Sequence, residues 1–158
     1  MPVYLFTYHG YGTWLPDRQP GFVHYRQGLQ ARSKDMAGAY RQQQTSSKAV
    51  FDGAAQQVIV RTVREAALHL EATLHAVSAD TTHVHLLISW KHGRGWRAMR
   101  TSVKSALTRA LNAQIATRAW FSKGASRKRI RDRSHFDYLM HRYLPRHKGK
   151  RWFRPSVQ

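Results

Sequence analysis

The sequence predicts an α+β protein with a ferredoxin-like split βαβ fold, a mainly antiparallel sheet with helices on one face, and a further helix near the C-terminal end. Three observations carry this. Short β-branched and aromatic runs read as strands. Two longer stretches repeat their apolar residues at helical spacing. Their order contains the run β-α-β-β-α-β, the signature of the split βαβ pattern.

Val3–Tyr8 is the first strand. Gly10, Gly12, Pro16, Pro20 and Gly21 then mark a loop, and residues 26–53 form a polar insertion. Ile59, Val63, Ala66, Ala67 and Leu70 define a helix over 54–70. Ala72–Ser78 and His83–Trp90 pair as a hairpin around Asp80, Thr81 and Thr82. Met99, Val103, Leu107, Ala110 and Leu111 form one stripe of a helix over 96–115. Ala119–Phe121 and Lys128–Ile130 read as short strands flanking a basic turn. Phe136, Leu139, Met140, Tyr143 and Leu144 define a last helix over 133–147, which Pro145 kinks or ends. Residues 148–158 read as a basic tail.

A length of 158 residues suits one domain spanning 1–158. At 42% hydrophobic and 11% aromatic, the chain is too apolar for a disordered basic tail. With no cysteine, disulfides and thiolate metal sites are excluded. There is no apolar run of about 18 residues to span a membrane. The first residues lack a basic stretch and a small-residue cleavage site, so a cytoplasmic protein is expected.

The net charge of +19 points to a polyanionic partner, nucleic acid first. That charge is polarised. Residues 1–80 carry a balance of +2, residues 81–158 one of +17, and between Thr81 and Arg131 there is no acid. Charge alone does not separate a scaffold from an enzyme.

The segment His83-Val84-His85 carries chemistry. In a strand, His83, His85, Leu87 and Ser89 share one face, while Val84, Leu86, Ile88 and Trp90 share the other. The two imidazoles then stand roughly 6–7 Å apart at Cα on the face away from the helices. That spacing suits a divalent ion, which imidazole binds readily, although two such histidines are also common as plain surface or core residues. Tyr143 and His147, four apart, lie on one helical face and are placed to close over such an ion. They read equally as a half-buried aromatic and a cation at a helix C-terminus.

Together these segments resemble the HUH-type single-tyrosine transposases, in particular the branch of REP-associated tyrosine transposases. The resemblance covers most of the chain. It runs through Tyr11-Gly12-Thr13-Trp14-Leu15-Pro16, Thr82-His83-Val84-His85-Leu86-Leu87, the turn near Trp120 to Arg131, and the helix from His135 to Tyr143. It implies His83 and His85 as metal ligands, His147 as the third, and Tyr143 as nucleophile. Tyr138 is the fallback nucleophile, but an α-helix sets it about 140° around from Tyr143, so the two are not expected to share a site.

The implied activity is nicking and strand transfer of single-stranded DNA, flanking a hairpin, through a 5′-phosphotyrosine, with Mg²⁺ or Mn²⁺ as cofactor. The phosphotyrosine conserves the bond energy, in keeping with the lack of a phosphate-binding G-x-x-x-x-G-K-[ST] loop. Arg97, Arg100, Lys104, Arg127, Lys128, Arg129 and Arg131 are candidate phosphate binders, or else solvated surface cations. The resemblance leaves monomer and homodimer both open. The competing reading is a non-catalytic nucleic-acid-binding protein that kept the fold.

Overall fold

The computed structural model describes residues 1–13, 22–24, 28–30 and 47–157. Trp14–Pro16 and most of the polar insertion at 26–53 lie outside the described residues. Seven strands are described: β1 (Val3–His9), β2 (Phe22–His24), β3 (Gly28–Gln30), β4 (Ala72–Ala79), β5 (His83–Trp90), β6 (Ser126–Ile130) and β7 (Arg151–Phe153). The helices are α1 (Gly53–His69), α2 (Trp96–Gln114) and α3 (Arg133–Tyr138). A π-helical turn (Leu139–Tyr143) and a 3₁₀ turn (Leu144–Arg146) continue α3. Among these residues no helix is long and apolar enough to cross a membrane.

The main sheet has the order β6-β1-β5-β4-β7, with every pair antiparallel. β2 and β3 form a separate two-stranded sheet. The expected α+β fold is present, with β1 and β4 separated by the inserted β5.

Alternation sorts the strands as the sequence indicates. Tyr4, Phe6 and Tyr8 of β1 and Val84, Leu86, Ile88 and Trp90 of β5 are buried in one core. α1 and α2 cover it with Ile59, Val63, Met99, Val103, Leu107 and Leu111. Asp52 caps α1, accepting from the Ala55 amide at 2.9 Å. On the opposite face, Leu5, Ala76, Leu87 and Ile130 bury against Leu139 and Leu144, so the C-terminal helical segment covers part of the face that carries the histidines. In β4 a bulge at His75 breaks strict alternation, so that Leu74 joins the core under the long helices and Ala76 the opposite one.

Three elements differ from the sequence expectation. Ala119–Phe121 is not a strand: Phe121 makes only an isolated bridge to Gly10, while Trp120 and Phe121 are buried. The last helix is not uniformly α. Pro145 has no N–H to donate, and its ring clashes with the carbonyl four residues back in an α-helix. The chain widens into the π turn, where the Leu144 amide donates to Leu139 O, and then tightens to 3₁₀. Lastly, Arg151–Phe153 within the basic tail is an edge strand paired with Ala76–Ser78.

That edge strand fixes where His147 sits. The Ala79 amide donates to Lys150 O at 2.8 Å, and the Lys150 amide donates to the buried Gln56 Oε1 at 3.0 Å. Gly149 passes so close to β4 that a Cβ there would lie 1.8 Å from Ala79 O. Gly149→Ala is therefore expected to shift the 147–150 segment and cost about 1–3 kcal/mol, as overpacking does. Urea unfolding of the variant against the native chain measures it.

Candidate metal centre

β5 presents His83 and His85 on the face opposite the long helices, and the 3₁₀ turn delivers His147 above them. Ligand atoms of the three histidines all lie within 4.8 Å of one another. Ring centroids are 4.7 Å apart for His83 and His85, 4.6 Å for His85 and His147, and 5.3 Å for His83 and His147.

Each imidazole has its Nδ1 engaged elsewhere. His85 Nδ1 meets Thr7 Oγ1 at 2.7 Å, a buried contact across the β1–β5 ladder. His83 Nδ1 meets Thr82 Oγ1 at 3.0 Å, and His147 Nδ1 donates to Leu144 O at 3.3 Å. With Nδ1 carrying the proton, Nε2 is the ring nitrogen through which each imidazole can ligate an ion. Such partners on the distal nitrogen are what orients a metal-binding histidine. Burial, and then the charges of His83, His147 and His9, hold His85 down to about 3, so it is neutral at pH 7 as a ligand must be. Among the described residues the cluster contains no carboxylate. These residues fit a divalent first-row ion, and their nitrogen donors favour Mn²⁺ over the harder Mg²⁺.

Tyr143 completes the cluster. Its Oη lies 3.5 Å from His85 Nε2, and its ring is 5.2 Å from His147 and 5.5 Å from His85. Burial, and then the neighbouring Tyr138, raise its phenol above the ordinary value, so it rests protonated. The expectation for Tyr138 needs correction. In the π turn, residues five apart fall nearly in line, and the two tyrosine rings are 6.4 Å apart. Tyr138 is exposed.

The chain matches no protein-family profile and no curated protein. Among solved structures it is similar to a REP-associated tyrosine transposase bound to a REP hairpin. That likeness has a TM-score of 0.47 and 10% identity, over 91% of this chain and 70% of that one. At that score and identity it carries no functional argument, and the geometry of the histidines and the tyrosine stands by itself.

The candidate phosphate binders are divided between faces. In β6, Arg127 and Arg129 stand opposite Phe6 and Tyr4, on the side of the long helices, whereas Lys128 stands opposite Leu5 on the histidine side. Arg127, Lys128, Arg129 and Arg131 are exposed. Two others are tied to the chain. Lys104 Nζ donates to Ser122 O at 2.7 Å and Gly124 O at 3.0 Å, and Arg100 donates to Ala125 O. Arg97 is exposed and lies over the Trp96 ring.

Sequence reasoning did not single out Thr7 or Thr82. Thr7 sits at the alternate position of β1 that shares a face with His85, but only the strand register reveals the pairing. Thr7→Val keeps the shape and removes the partner of Nδ1. It is expected to weaken Mn²⁺ binding about 10–100-fold, as loss of such partners does. Calorimetric Mn²⁺ titration of the variant and the native chain checks this.

Proposed function

We propose that the chain cuts and rejoins single-stranded DNA, with Tyr143 as nucleophile and His83, His85 and His147 holding a divalent ion. The observation that carries the reading is the placement of one phenol oxygen 3.5 Å from the inward nitrogen of a three-imidazole cluster. A net charge of +17 in the half of the chain that contains all four residues supports a polyanionic substrate.

When bound, the ion neutralises and orients the scissile phosphate. The chain's own residues do the rest. His83, His85 and His147 set where the phosphate sits. The packing of Leu139 and Leu144 holds the turn that carries Tyr143, so the phenol is positioned before substrate arrives. Tyr143 Oη attacks phosphorus and loses its proton to water. The bond from phosphorus to the 3′-oxygen breaks, and that oxygen leaves as a 3′-hydroxyl after taking a proton from water. The 5′-phosphate stays on Tyr143, with the bond energy conserved for the reverse attack by a 3′-hydroxyl. We read residues 1–158 as one such domain, with 26–53 inserted in it.

Incubating the protein with Mn²⁺ and hairpin-flanked single-stranded oligonucleotides from beside its gene should give a covalent adduct on denaturing gels. Tyr143→Phe is expected to abolish the adduct while leaving DNA affinity within a few-fold. Tyr138→Phe is expected to keep it. An adduct surviving in Tyr143→Phe would remove Tyr143 as nucleophile. No adduct from the native chain on any such oligonucleotide would favour a binding protein that kept the fold.

A further inference from the structure

Across the sheet from the histidines, three guanidinium groups converge on one indole. Arg127, Arg97 and Arg100 lie 4.3, 4.8 and 5.1 Å from the centroid of the Trp96 ring. Trp96 and Arg97 open α2, Arg100 follows one turn later, and Arg127 reaches over from β6. Among the described residues no carboxylate pairs with any of them. Stacking on the ring offsets part of the mutual repulsion. Burial holds the Arg100 guanidinium below its ordinary value; Tyr8 opposes this in part, and the charges of Arg97 and Arg127 add to it. Three like charges held together, with no carboxylate among the described residues paired to them, are a site for an anion of matching charge density.

We propose that Trp96, Arg97, Arg100 and Arg127 form a clamp for the phosphate backbone of DNA, separate from the centre that holds Tyr143. This rests on the reading of DNA as the substrate. Trp96 is half-buried and surrounded by guanidinium groups, so it orients them and is not a platform for bases. The clamp therefore reads phosphates without regard to sequence. The three groups fit within roughly 10 Å, a span that takes in two neighbouring phosphates of one strand.

The topology joins the clamp to the centre. Ser126, Thr7 and His85 lie in one row across β6, β1 and β5. His85 is thus about 10 Å, two strand spacings, from the sheet edge. DNA leaving the histidines in that direction crosses exposed Lys128 and turns over the edge onto Arg127.

The test measures binding without cleavage, in a Tyr143→Phe background and without divalent ion, by fluorescence anisotropy over a salt series. Arg97→Gln with Arg127→Gln should lower affinity on the order of tenfold and flatten the slope of log affinity against log salt by about 1.4, two phosphate contacts' worth. The loss should be equal for a scrambled oligonucleotide. Arg97→Lys with Arg127→Lys, which keeps the charge and loses the ring stacking, should retain the slope. An unchanged slope in the glutamine pair, or a loss confined to one sequence, would overturn the clamp. Cleavage is assayed separately with Tyr143 present. Adducts from the native chain with no slope change in the glutamine pair would sink the clamp alone. A slope change without any adduct would sink the nicking reaction alone.

Discussion

The register between β1 and β5 is the constraint on which the centre depends. It sets Thr7 opposite His85 and His9 opposite His83. A slip by one residue turns every side chain of a strand to the other face. In β5 it would drive two imidazoles into the core and expose Val84, Leu86, Ile88 and Trp90, all of which are buried. Each such side chain is worth roughly 1.5–3 kcal/mol on burial, so the slip would forfeit several kcal/mol. The apolar half of β5 thereby aims its polar half. The ladder that fixes the strand also supplies the hydroxyl that fixes the His85 ring.

The second half of the centre comes from a defect in a helix. Tyr143 and His147 are four residues apart, a spacing that an α-helix would serve. Pro145 stands between them and forbids an unbroken α-helix. The π turn before it and the 3₁₀ turn that contains it still bring the two rings within 5.2 Å. The departure shows instead at Tyr138, which the wider turn rotates into line with Tyr143. Its proximity contributes to the raised phenol, so the π turn alters the electrostatics of Tyr143 as well as its position.

Much of this was legible in the chain. Strand alternation in His83–Trp90 and helical spacing over 54–70 and 96–115 depend on local periods, and the structure follows both. Spacing placed His83 with His85 and Tyr143 with His147, but the joining of the two pairs in one site came from the family resemblance. What was not legible required long-range information. β7 is three residues in a basic run, with no period to read; it forms because β4 offers a free edge and Gln56 and Ala79 hold Lys150. Thr7 is one of many threonines until the register is known. The basic residues carry no mark of the face they occupy, and the pleat of β6 sends Arg127 and Lys128 to opposite faces, while Lys104 of α2 binds loop carbonyls.

The shortage of acids in residues 81–158 fits this division of labour. A carboxylate ligand would strengthen ion binding but would add negative charge beside a phosphodiester. Imidazoles hold an ion without that repulsion, provided they stay neutral. Burial secures this for His85, and the charges of His83, His147 and His9 add to it. Positive charge is kept at the sheet edge and on the far face, where guanidinium groups need no deprotonation to act. On the proposed reading, neutral donors hold the ion and permanent cations grip the backbone. Two strands, β1 and the edge strand β6, separate β5 from that edge.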